Sequence, residues 1–133
     1  MTVFVDTSAL YAVIDADDSN HPGAKAEWEG LLVSGTPLAT TSYVLVETVA
    51  LVQSRLGMQA VRLFQQDVSP MLAVTWIGET THQAGLAGVL AAGRRGLSLV
   101  DCVSFEVMRH LGLQEAFAFD PHFAEQGFGC LPR

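Results

Sequence analysis

Four acids stand in apolar company where a lone carboxylate is out of place: Asp6 in VFVDTSAL, Glu47 in YVLVETVALV, Asp101 in LSLVDCVSF and Asp120 in AFAFDPHF. Three have an ordinary structural explanation. Asp6 follows a strand-like run and precedes a helical one, where it can cap the helix. Ser98 and Asp101 have the spacing of a capping box. Asp120 precedes Pro121, a pairing that favours a turn. Glu47 has no such explanation. The residues around it are apolar nearly all round, which predicts a helix buried on most faces. The nearest downstream cation, Arg55, is eight positions away and out of reach along a helix. The competing explanation for Glu47 is a salt bridge from elsewhere in the fold. Brought together, four carboxylates repel one another and raise one another's pKa, and a divalent cation relieves the conflict. Ligation by carboxylate oxygen suits Mg²⁺ or Mn²⁺ better than zinc or copper, and such centres perform phosphoryl chemistry.

The elements that must position these acids alternate. Residues 2–5 read as a short buried strand, followed by a helix over 8–14 and a polar loop. A second helix runs over 21–32 with Pro22 in its first turn, then a strand over 37–40 and a helix over 42–56 that Gly57 stops. A helix over 59–67, a strand over 71–77, and helices over 80–95 and 98–111 follow. A strand over 116–119 and a last one from Phe128 complete the pattern. Strands alternating with helices predict an α/β fold of three layers, helices flanking a short and mostly parallel central sheet. Functional groups in such sheets gather at the carboxyl ends of the strands. Asp6 and Asp120 fall at those ends, and Glu47 and Asp101 fall early in helices.

Composition narrows the classes. The 133 residues, half of them hydrophobic, suit one domain (1–133) with a sizeable core rather than disorder. No apolar run is long enough for a membrane span, and no secretory signal opens the chain, so a cytoplasmic protein is expected. Cys102 and Cys130 are read as reduced thiols. Fourteen acids against seven Lys and Arg give a net charge of −7, which argues against holding nucleic acid on a broad basic face. It leaves open a nucleic-acid enzyme whose acids are screened by metal ions.

The opening strand with Asp6-Thr7-Ser8, Glu47 in an apolar helix, the Ser98-x-x-Asp101 helix start and Phe119-Asp120 near the end resemble a PIN-domain ribonuclease. The likeness is greatest to the small VapC-type toxins of toxin–antitoxin pairs, and it covers essentially the whole chain. The resemblance implies a Mg²⁺- or Mn²⁺-dependent endoribonuclease. Asp6, Glu47, Asp101 and Asp120 would be its metal-binding and catalytic acids, with Ser8, Thr7 and Ser98 orienting them. It implies RNA as substrate, a homodimer, and a small cognate antitoxin as inhibitor. A PIN-fold protein that binds or processes RNA outside a toxin–antitoxin system is the alternative. A phosphoaspartyl phosphatase would carry a second Asp where this chain has Ser8, and a receiver domain needs a late lysine, whereas Lys25 is the only lysine.

Other residues are given ordinary roles. His122 is expected at the surface, Arg94 and Arg95 at a solvated helix end, and Trp28 and Trp76 in the core or an interface. The helices over 42–67 are the expected oligomer contact.

Overall fold

The computed structural model describes residues 1–133. Its order is β1 (Val3–Val5), α1 (Thr7–Ile14), α2 (His21–Val33), β2 (Leu38–Thr41), α3 (Ser42–Leu56) and α4 (Met58–Leu63), then β3 (Ala73–Thr75), α5 (Glu79–Ala92), α6 (Leu99–Leu111), β4 (Glu115–Phe117), α7 (His122–Glu125) and β5 (Gly129–Leu131). The five strands form one sheet in the order β3-β2-β1-β4-β5, and every pairing is parallel. β1 is therefore central. Val3, Phe4 and Val5 are all inaccessible although their side chains alternate between faces, so helices cover both faces of the sheet. This is the α/β architecture expected from the alternating pattern.

β1 ends just before, and β2 ends at, a residue that caps the following helix. Thr41 ends β2 and caps α3, its hydroxyl accepting from the Val44 N–H at 3.1 Å. Asp6 does the same for α1 after β1. Two long runs differ from expectation. The helix expected over 59–67 is regular only to Leu63, then widens into a π turn over Phe64–Val68 before Pro70. The strand expected over 71–77 shrinks to three residues. Pro70 supplies no N–H and fixes its own φ, so the chain unwinds ahead of it.

α5 and α6 pack closely at Gly85, where an added Cβ would stand 2.4 Å from Val103 Cγ2. That contact seats α6, and with it Asp101, against the rest of the domain. Both cysteines are free thiols.

One expectation needs correction. α3 is not buried on most faces: Ser42, Val44, Thr48 and Val52 face inward, whereas Val46 is 69% exposed. Its outer residues Val46 and Ala50 are exposed, and Leu45 and Val49 beside them are half-buried against the core. Trp28 lies in the core, but Trp76 is 75% exposed. Arg94 sits at a solvated position and pairs with Glu125 at 2.9 Å.

Candidate active site

Asp6 leaves the end of β1, and its backbone still belongs to the sheet through an N–H bond to the Phe117 carbonyl of β4. Its Oδ2 accepts from the Ser8 N–H at 3.1 Å and from the Ser8 hydroxyl at 2.6 Å. The Ser8 oxygen in turn accepts from the Phe119 N–H at 2.9 Å and the Asp120 N–H at 3.3 Å. One hydroxyl thus ties the carboxyl end of β1 to the segment after β4 and sets Asp6 beside Asp120. Asp101 reaches the same place from α6. It accepts from the Ser98 N–H at 3.1 Å, and Ser98 Oγ accepts from the Asp101 N–H at 3.0 Å. The capping box exists and holds Asp101 Oδ2, the same oxygen that stands 3.8 Å from His122 Nδ1. Thr7 packs α1 against α3, its hydroxyl receiving a bond from Thr48, and it lowers the pKa of the nearby Glu47.

The electrostatics follow from the burial and proximity of these groups. Burial is the main cause that lifts the Asp6 carboxyl from its ordinary 3.8 to about 7; the two Ser8 bonds oppose the rise, and Asp101 and Asp120 add to it. Asp101 is also raised, first by burial and then by Asp120, against the pull of Ser98 and His122. Glu47 is raised by burial, with Asp101 and Asp120 contributing. The most buried acid is Asp6, 3% exposed, while Glu47 is half-buried. Glu47 stood out in the sequence because its helix looked buried, yet Asp6 bears the larger burial.

No lysine or arginine neutralises this group. The ion pairs of Arg94 and Arg133 are made with Glu125 and Glu115. The salt bridge that could have explained Glu47 is absent.

His122 is the residue that sequence reasoning misplaced. Its side chain is 14% exposed rather than on the surface, with Nδ1 2.7 Å from Asp120 Oδ1 and 3.8 Å from Asp101 Oδ2. The signal was its position two residues after an acid already singled out, since a short turn brings i and i+2 together. Asp120, His122 and Asp101 offer donor atoms that all lie within 4.8 Å of one another. The donor set is carboxylate without a lysine or arginine partner, together with a solvent-shielded His122 Nδ1 that makes no aligned hydrogen bond. These residues fit a hard divalent cation.

The family model for the PIN domain matches residues 3–129. VapC20 of Mycobacterium tuberculosis, a 23S rRNA-specific endonuclease, is 35% identical over 128 residues that cover 95% of each chain. The crystal structure of that protein, a Sarcin-Ricin loop cleaving toxin, has a TM-score of 0.82 at 33% identity, again over 95% of both chains. VapBC2 from Rickettsia felis, solved bound to a DNA fragment from its promoter, has a TM-score of 0.70 at 12% identity, over 98% of this chain and 97% of that one. FitAcB from Neisseria gonorrhoeae has 0.68 at 12%, over 98% and 96%. The last two share the fold. With its family model matched almost end to end and a relative at this identity, the chain belongs to the PIN-domain family.

Proposed function

We propose that this protein is a divalent-metal-dependent endoribonuclease, one PIN domain acting in the cytoplasm as the toxin of a toxin–antitoxin pair. The observation that carries the reading is the approach of Asp6, Glu47, Asp101 and Asp120 to one another at the carboxyl edge of the sheet with no lysine or arginine paired to them. The VapC20 name supports RNA as the substrate, and the VapBC2 and FitAcB folds agree with a small antitoxin as partner. The exposed Val46 and Ala50 on the outer side of α3 support a homodimer.

Mg²⁺ or Mn²⁺ held by the four acids would supply charge to the scissile phosphate and raise the acidity of water there. The chain's own residues do the positioning. Ser8 fixes one Asp6 oxygen and leaves the other for the ion. Ser98 orients Asp101 through its Oδ2. Thr7 and Thr48 hold the α1–α3 contact behind Glu47. The reaction is hydrolysis: water adds to phosphorus, the P–O3′ bond breaks, and the 3′ oxygen leaves with a proton.

The test is incubation of purified protein with RNA, including 23S rRNA, in Mg²⁺, Mn²⁺ or EDTA. Cleavage with either metal, none in EDTA, and loss of about a thousandfold or more in Asp101→Asn is expected, because oriented charge at such a centre carries several kcal/mol. Equal cleavage by wild type and Asp101→Asn would overturn the reading.

A further inference from the structure

We propose that His122 is a nitrogen ligand of the same cation, and that it shifts the site's preference from Mg²⁺ toward Mn²⁺. This rests on the metal-centre reading above and adds a ligand to it.

The imidazole is built into the site rather than resting on it. α7 starts at His122, whose N–H donates to Asp120 Oδ1 at 2.9 Å, so the turn sets the ring beside that carboxylate. The next residue, Phe123, is wholly buried and packs its ring against Phe4 and Phe105, with centroids 6.2 and 5.0 Å away. Phe4 lies two residues before Asp6, and Phe105 lies one helical turn after Asp101. The segments that present two of the acids therefore also anchor the histidine.

Nδ1 has no aligned hydrogen-bond partner, although the carboxylates of Asp120 and Asp101 stand within ion-pair range. It is shielded from solvent and 2.7 Å from Asp120 Oδ1, yet it forms no directed hydrogen bond. A buried polar atom in that condition is uncommon and costly. Two donor atoms that close, and not aligned as a hydrogen bond, have the spacing of two ligands of one ion. Neighbouring donors around an octahedral ion with bonds of about 2.1 Å stand about 3 Å apart. The observed separations of 2.7 and 3.8 Å bracket that spacing.

Metal preference follows from the ligand atom. Mg²⁺ favours oxygen and gives up water reluctantly, whereas Mn²⁺ keeps an affinity for carboxylate and stands on the transition-metal series that accepts imidazole. One nitrogen among four carboxylates thus favours Mn²⁺ relative to Mg²⁺.

Pulsed electron paramagnetic resonance of the Mn²⁺-loaded wild type is expected to show coupling to a directly bound ¹⁴N. Selective ¹⁵N labelling of histidine should convert the pattern, a readout that requires no variant to fold. The coupling should vanish in His122→Ala, with calorimetry showing Mn²⁺ affinity down by about tenfold or more and Mg²⁺ affinity changed much less. Mn²⁺ bound by the acids without nitrogen coupling, or coupling that persists in His122→Ala, would overturn the proposal while sparing the metal centre. Failure of the wild type to bind Mn²⁺ at all would overturn both.

Discussion

Replacing Asp6 by asparagine should stabilise the metal-free protein in alkaline solution while disabling its site. The Asp6 carboxyl is raised from 3.8 to about 7, chiefly by burial, so the folded chain holds this proton more tightly than the unfolded chain. Stability contributed by the group is therefore present below pH 3.8 and declines as pH rises to about 7, beyond which the loss is complete. That displacement corresponds to about 4 kcal/mol at pH 8.5. Asparagine removes the charge and keeps an oxygen that can accept the two Ser8 bonds, although a neutral acceptor is weaker by about 1 kcal/mol for each. A net gain of about 2 kcal/mol remains, which raises Tm by roughly 8 °C in a domain of this size. Thermal melts in EDTA at pH 8.5 and pH 5 provide the assay. At pH 5 the folded wild type already carries the proton, so the advantage of the variant should shrink by more than half. Added Mn²⁺ should stabilise wild type and leave Asp6→Asn unmoved. A variant no more stable than wild type at pH 8.5, or an advantage independent of pH, would refute the reasoning that burial dominates at Asp6.

Two other substitutions probe the scaffold. Ser8→Ala removes the acceptor of the Phe119 and Asp120 N–H groups and should cost about 1–3 kcal/mol in urea unfolding, with a larger fractional loss of nuclease activity than of stability. Gly85→Ala drives a methyl into Val103 and should cost about 1–3 kcal/mol, the overpacking penalty of a tight helix pair, measured by the same unfolding.

Much of this was legible in the residues because the local chemistry and the fold agree. Asp6 and Asp101 are caps in the structure, as their neighbours Ser8 and Ser98 indicate, and the caps leave an oxygen free at the sheet edge. Strand and helix types followed from capping residues and Gly stops; boundaries moved where Pro70 unwound the chain. What misled was apolar content taken for burial. The run around Glu47 is apolar although α3 is buried on its inner face only and partly exposed on its outer one, and apolar residues in one sequence do not separate the two. His122 was missed for the opposite reason. A polar residue after Asp-Pro looks exposed until the buried Phe123 beside it draws the turn inward.

The chemical ends of the cleaved RNA test the central claim most directly. Hydrolysis at a metal centre built on Asp6, Glu47, Asp101 and Asp120 predicts a 5′-phosphate and a 3′-hydroxyl at each cut, formed in Mn²⁺, abolished by EDTA and absent with Asp101→Asn. A 2′,3′-cyclic phosphate with a 5′-hydroxyl, formed in EDTA, would contradict it, since that product arises from attack by the RNA's own 2′-hydroxyl and needs none of these four acids.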